Sequence, residues 1–213
     1  MQPAVRPAVP ADAPFLAWAM LEAGRAHRPV GWYDIALGLE PAPCLELLAR
    51  LTLTDVESWW RYSNFLVAEV AGEPVAALCA FGSARGYPTS EAALAEASAP
   101  LGWGPAELAA VWTRGAYVFT CAVSNDQDLW TIENVAVRPE QRGQGLAGLL
   151  LEHALARGRG AGYGQAQVTL LIGNDSAERA YAKAGFALAE GRRSPKFEAA
   201  VGAPGLLRML RDL

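Results

Sequence analysis

The 213-residue sequence predicts a single α/β domain, and three observations carry that prediction. Residues 129–148, LWTIENVAVRPEQRGQGLAG, begin with the apolar positions Leu129, Ile132, Val135 and Val137, break at Pro139 and turn through three glycines. The apolar positions Leu149, Leu150, Leu151, Ala154 and Leu155 follow, so the stretch is strand, glycine-rich turn and helix. Second, residues 64–70 (NFLVAEV) and 75–81 (VAALCAF) are two strand-like runs around the turn Ala71-Gly72-Glu73-Pro74, the pattern of a hairpin. Third, a hydrophobic content of 52% over this length supports one full core, in one domain or one domain with insertions.

Taken from the N-terminus, residues 4–9 predict a short first strand. Pro10-Ala11-Asp12 predicts a helix start, with Asp12 as cap ahead of Phe15, Leu16, Trp18, Ala19 and Leu21. Between residues 24 and 43 the periodicity weakens, which predicts a loop with short helical pieces, one of them at Trp32-Tyr33-Asp34-Ile35. Leu45, Leu47, Leu48 and Leu51 mark a short amphipathic helix, and Thr54-Asp55-Val56-Glu57 predicts a second helix start running through Trp59-Trp60. The hairpin follows.

Residues 90–97 and 105–112 are helical in pattern, 117–123 (YVFTCAV) read as a strand, and 124–128 as a polar turn before the central strand. Past the glycine-rich turn and its helix, the glycines of 158–164 predict a stop and 167–172 the next strand. Asn174 or Asp175 can cap a helix over 177–184, with Gly185 just past its end. The last strands are predicted at 186–189 and 206–210, joined by a loop carrying Arg192, Arg193 and Lys196. That basic cluster is either a solvated surface or an attraction for an acidic acceptor or for phosphates.

A helix preceded by glycines is suited to anions, because its first N–H groups lack partners and carry the positive end of the helix dipole. The spacing here is not that of a P-loop, since no Lys follows Gly148, nor that of a dinucleotide-binding turn, which needs an acidic residue further on. It resembles the acyl-coenzyme A loop of the GCN5-related N-acetyltransferase (GNAT) superfamily, Q/R-x-x-G-x-G/A, with Arg142, Gly145 and Ala147 in its places. The preceding V-A-V-R-P-E-Q-R-G resembles the superfamily's fourth strand. Asn174, Ala177, Tyr181, Lys183 and Gly185-Phe186 resemble its N-x-x-A-x-x-x-Y-x-K-x-G-F segment.

The resemblance covers about residues 129–188 and implies a GNAT fold: a central mixed twisted sheet flanked by helices, in one domain over 1–213, with 129–188 as its acyl-coenzyme A core. Against that plan residues 82–115 form a helical insertion before the central strand. Long connections tend to be lids, binding loops or interfaces. The insertion's apolar stripe of Leu101, Trp103, Leu108, Val111 and Trp112 leaves three uses open: core, the interface of a homodimer, or contact with an apolar substrate.

The resemblance also implies chemistry. Acetyl-CoA would be the co-substrate and a primary amine of a small molecule or peptide the acceptor. Arg142, Gly143, Gln144, Gly145, Leu146 and Ala147 would hold the pyrophosphate. The backbone of the fourth strand, at Val135, Ala136 and Val137, would pair with the pantetheine arm, which Asn174 would also contact unless its amide only caps the helix. Tyr181 matches the tyrosine near the coenzyme sulfur; a phenol stays protonated at neutral pH and can donate to a thiolate. Glu133 is the candidate base, an acid in an apolar strand that must face solvent or a polar cleft, with Glu69 and Asp126 in reserve. Trp32 and Tyr33 are either acceptor contacts or a cover for the core. Alternative functions are a non-catalytic acyl-CoA sensor or interaction module, and an acyltransferase using a longer acyl-CoA.

Composition excludes other classes. A formal charge of -4 gives no nucleic-acid footprint, and no apolar run is long enough to span a membrane. The proline-rich start has too little apolar continuity for a signal peptide, which predicts a cytoplasmic protein. Cys44, Cys79 and Cys121 stand too far apart for a C-x-x-C pair and predict buried small hydrophobes, while His27 and His153 fit no metal spacing, so no metal is expected.

Overall fold

The computed structural model describes residues 3–123 and 128–213. The turn expected at 124–128 therefore lies, but for Asp128, outside the described residues, as does the reserve base Asp126. The strands are β1 (Ala4–Pro7), β2 (Phe65–Val70), β3 (Glu73–Gly82), β4 (Trp130–Val137), β5 (Gln165–Leu171), β6 (Ala187–Arg193) and β7 (Gly205–Asp212). The helices are α1 (Ala13–Arg25), α2 (Trp32–Leu37), α3 (Pro41–Thr52), α4 (Ser83–Gly86), α5 (Ser90–Ser98), α6 (Pro105–Gly115), α7 (Leu146–Gly160), α8 (Asp175–Lys183) and α9 (Pro195–Val201).

All seven strands join one sheet in the order β1-β2-β3-β4-β5-β7-β6. Only the central pair β4–β5 is parallel, so the sheet is mixed. Helices cover both faces. On β2 and β3 the odd-numbered Phe65, Val67, Ala77, Cys79 and Phe81 join α1, α2, α3 and α5 in one cluster. The even-numbered Leu66, Ala68, Ala76, Leu78 and Ala80 join α7 in the other. Burial of both faces is why these strands read as continuous apolar runs rather than alternating ones.

Five local expectations are corrected. Asp12 does not cap α1 with its side chain; its carboxylate accepts the Val9 N–H at 2.7 Å and two bonds from the Arg6 guanidinium, closing a 3-10 turn ahead of the helix. The same Arg6 holds Glu69 at 2.7 Å on β2, which removes the reserve base from any cleft. No helix restarts at Thr54. The Thr54 hydroxyl donates to the carbonyls of Leu51 and Val56, and the N–H groups of Ser58 and Trp59, which a helix would direct to residues 54 and 55, go to the carbonyls of Val56 and Gly86.

The run 117–123 is not a strand but a 3-10 helix, Ala116–Cys121. The segment joins no strand and instead packs Cys121 and Tyr117 onto Phe197 and Val201. Nor is 194–204 a plain loop. Ser194 caps α9 by accepting the Phe197 N–H, Arg192 and Arg193 belong to β6, and Arg192 is paired with Glu190 at 2.6 Å.

Within 82–115, Ala93, Leu94, Ala97 and Val111 are buried in the first core cluster. Trp103, Leu108 and Trp112 pack partly buried against it, and Leu101 is exposed. All three cysteines are free and buried.

Candidate active site

The site begins with one extra residue in β4. Ala77 pairs with Ala136 and Cys79 with Glu133, so two steps along β3 face three along β4, a β-bulge. Asn134 absorbs it at φ +54°, a left-handed conformation that Asn tolerates better than most residues. The ladder to β5 stops at Ile132–Val168, while β5 keeps pairing with β7 as far as Leu171–Leu206. Past Ile132 the two parallel strands part, and Glu133 to Val137 have no β5 partner for their main chain. A cleft of about 1420 Å³ opens between them.

One wall of the cleft is the start of α7. After the 3-10 turn Pro139–Gln141, Gly143 and Gly145 both adopt φ +80°, which only glycine enters without cost, and Gly145 is the N-terminal residue bordering the helix. No side chain caps this end. A Cβ built on Gly143, Gly145 or Gly148 would meet no atom within 4 Å. The first N–H groups of a 15-residue helix are thus presented on an open, glycine-lined surface, the arrangement that suits a phosphate. Arg142, Gly143, Gly145, Leu146 and Ala147 line the cleft. Gln144 does not: its side chain turns away and donates to Gln141 at 3.0 Å.

The opposite wall is α8. Asn174 accepts the Ala177 N–H at 3.3 Å, so it caps the helix, and it also lines the cleft with its amide nitrogen not used by the cap. Tyr181 is buried against Phe186 and borders the cleft. Among the described residues its hydroxyl has no hydrogen-bond partner. Burial, then the nearby Glu133, raises its pKa well above 10, so it stays a protonated donor across the working range.

Glu133 lies at the meeting point of the walls. Part of its surface remains open to the cleft, yet protein packs closely around the carboxylate, and that desolvation raises its pKa from the ordinary 4.5 to about 7. The Tyr87 hydroxyl donates to Glu133 Oε1 at 2.9 Å and opposes the rise. A carboxyl that titrates near neutrality can both take and release a proton.

The floor of the cleft near Asn134 is aromatic. Trp60 Nε1 donates to the Tyr33 hydroxyl at 2.9 Å, which donates in turn to Asn134 Oδ1 at 3.5 Å. Tyr33 is therefore both core and cleft, and Trp32 lines the cleft beside it. Sequence reasoning missed Tyr87, Trp60 and the bulge at Asn134. An Asn inside an apolar strand was the available signal for the bulge; the aromatics carry none, because they come from segments without periodicity.

No cluster of three or more potential metal ligands occurs among the described residues, and none of their helices is long and apolar enough to cross a membrane. The family model described as acetyltransferase (GNAT) family matches residues 31–186. Among solved structures, an N-acetyltransferase from Staphylococcus aureus Mu50 is similar with a TM-score of 0.67 and 19% identity, over 98% of this chain and 100% of that one. A Drosophila melanogaster polyamine N-acetyltransferase gives 0.60 and 17%, with both chains covered in full. An N-acetylglutamate synthase from Neisseria gonorrhoeae, complexed with coenzyme A and N-acetyl-glutamate, gives 0.51 and 15% over all of this chain but 35% of that one. No curated protein has a sequence that matches this one significantly. With its mixed sheet, parted central strands and a family match over most of its length, the chain belongs to the GNAT acetyltransferase family.

Proposed function

We propose that the protein is an N-acetyltransferase that moves an acetyl group from acetyl-CoA directly to a primary amine of a small molecule or peptide. The observation that carries this reading is the parting of β4 from β5, which sets an unpaired main chain, an uncapped helix start, Glu133 and Tyr181 around one cleft.

The residues present fit acetyl-CoA. The open glycine face at Gly143 and Gly145 leaves room for a pyrophosphate against the α7 N–H groups, with Arg142 adding charge. The main chain of Val135, Ala136 and Val137 offers strand-like hydrogen bonds to an extended arm, and Asn174 has an amide nitrogen to add. When bound, the co-substrate supplies a thioester, whose acyl carbon is the electrophile.

Glu133, ionised above about pH 7, takes the proton from the acceptor nitrogen as the new N–C bond forms. Free main-chain N–H groups of β4 are positioned to receive the charge that develops on the acyl oxygen. Tyr181 gives its proton to the sulfur as the C–S bond breaks. Glu133 is surrounded by Tyr33, Cys79, Tyr87 and Tyr181, all neutral in this range, so an ammonium would bring positive charge to an otherwise uncompensated carboxylate. The structural likeness to a polyamine N-acetyltransferase puts polyamines first in an acceptor panel.

A thiol-release assay of acetyl-CoA, propionyl-CoA and succinyl-CoA against polyamines, aminoglycosides, amino acids and peptide N-termini tests the proposal. Fastest thiol release with acetyl-CoA and one amine class is expected. Calorimetric binding of acetyl-CoA with no release against any acceptor would instead identify a sensor.

A further inference from the structure

Outside the residues matched by motif, one side chain touches the candidate base. Tyr87 stands in the 3-10 turn Tyr87–Thr89, within residues 82–115, and its hydroxyl reaches across to Glu133 Oε1 at 2.9 Å. Its ring is fixed on two sides. It meets Phe81 edge-on with centroids 5.1 Å apart at 89°, and Trp59 with centroids 5.8 Å apart at 66°. Behind it, Trp59 Nε1 donates to Ser90 Oγ at 3.0 Å, and Ser90 donates to the Tyr87 carbonyl at 2.7 Å. Gly86 permits this closeness, since a Cβ there would lie 2.4 Å from the Phe81 ring and 2.8 Å from Trp59.

We propose that Tyr87 is a positioning residue: it occupies Oε1 of Glu133, leaves Oε2 to meet the acceptor amine, and favours the carboxylate over the acid. The inference rests on the reading of Glu133 as base. The groups facing Glu133 come from four elements: Tyr33 on α2, Cys79 on β3, Tyr87 itself and Tyr181 on α8. Burial raises the pKa of each of the four, so none of them supplies a positive charge or ionises near pH 7. Among the described residues, the Tyr87 hydrogen bond alone acts against the desolvation of Glu133. A hydrogen bond donated to an ionised group favours the ionised form, so removing it raises the pKa of the acid.

Tyr87→Phe deletes the hydroxyl and keeps the ring packed on Phe81 and Trp59. The acid limb of the kcat/KM profile should move up by about one pH unit, the scale of one charge-assisted hydrogen bond. The variant should then be about tenfold slower than wild type at pH 6 and close to it by pH 9, with donor affinity unchanged. A loss that is uniform with pH, the signature of a merely structural role, or no loss at all would overturn the proposal.

A second measurement separates this inference from the reading beneath it. The Glu133 carboxyl carbon can be followed by NMR in protein labelled with ¹³C at the glutamate carboxyl, its resonance assigned with Glu133→Gln. A midpoint that rises in Tyr87→Phe while the rate profile stays put means that Tyr87 sets the ionisation of Glu133 but Glu133 is not the base. A midpoint that does not move overturns the role of Tyr87 whatever the rates do.

Discussion

The two halves of this molecule line the cleft by different means. From β4 onward the cleft combines exposed main chain, in parted strands, glycines at φ +80° and an uncapped helix start, with the side chains of Glu133, Asn174 and Tyr181. Up to residue 123 the cleft is lined by side chains from short helices and irregular segments, among them Tyr33, Trp60 and Tyr87. Main-chain recognition demands glycine and fixed spacing and so leaves a motif. Side-chain recognition demands only that the right groups meet in space, and they can be drawn from any segment. The contrast teaches that a main-chain surface can be read from local sequence while a wall of distant side chains cannot.

The comparison can be broken first at its boundary. If residues 82–115 were a detachable insertion, replacing residues 90–112 by a short glycine linker would leave a folded protein with altered turnover or oligomeric state. Leu94 and Val111 are fully buried in the core, at about 1.5–3 kcal/mol each, against a total of about 5–15 kcal/mol for a domain. Loss of cooperative unfolding is therefore expected; circular dichroism with a sharp melt retained would show that the segment is separable after all.

Next comes the main-chain half. Gly145→Val forces a β-branched residue into φ +80° and fills the open face of the loop. Acetyl-CoA affinity should fall beyond calorimetric detection while far-UV circular dichroism is retained. Unchanged affinity in the folded variant would remove the loop from the coenzyme site.

Tyr181→Phe deletes one hydroxyl and should lower turnover by about 10²–10³-fold with donor binding nearly unchanged. Because burial keeps this phenol protonated well beyond neutrality, the loss should persist across the accessible pH range. Full activity with the best acceptor would end the catalytic-acid role.

Glu133→Gln should have the smallest effect on rate, and one that depends on pH. Its loss should shrink as pH rises toward the amine's own pKa near about 10, where the free amine needs no base. A defect that is flat with pH would make Glu133 a substrate-positioning group. The same substitution bears on stability. The folded pKa of Glu133 is raised from 4.5 to about 7, so its contribution to stability is fully present below about 4.5 and is lost as pH rises through 7. Relative to wild type, Glu133→Gln should gain melting temperature over that window, and equal shifts at pH 4 and pH 8 would show that the group is not desolvated.

Much of the architecture was legible before the structure. The hairpin of β2 and β3, the strand-turn-helix of β4 and α7, and the Asn174-capped α8 follow from apolar periodicity and turn residues, which are local properties. The errors have a common cause. The helix expected from Thr54 is lost because the N–H groups of Ser58 and Trp59 bond Val56 and Gly86, and 117–121 lose their strand to packing against Phe197 and Val201. The α9 start at Ser194-Pro195 was a readable cap signal that the surrounding basic residues obscured.

By itself the sequence determined the family of this protein: an α/β chain of the GNAT family, with its loop glycines and its Asn174 to Phe186 segment in place. It did so because those features are contiguous, and each depends on neighbours a few residues away. Only the tertiary structure decided what surrounds Glu133. Its desolvation, its bond to Tyr87, the bulge at Asn134 and the aromatic floor of the cleft join residues 33, 60, 87, 134 and 181. Desolvation and long-range hydrogen bonding exist only once the chain has packed, and no local pattern can encode them.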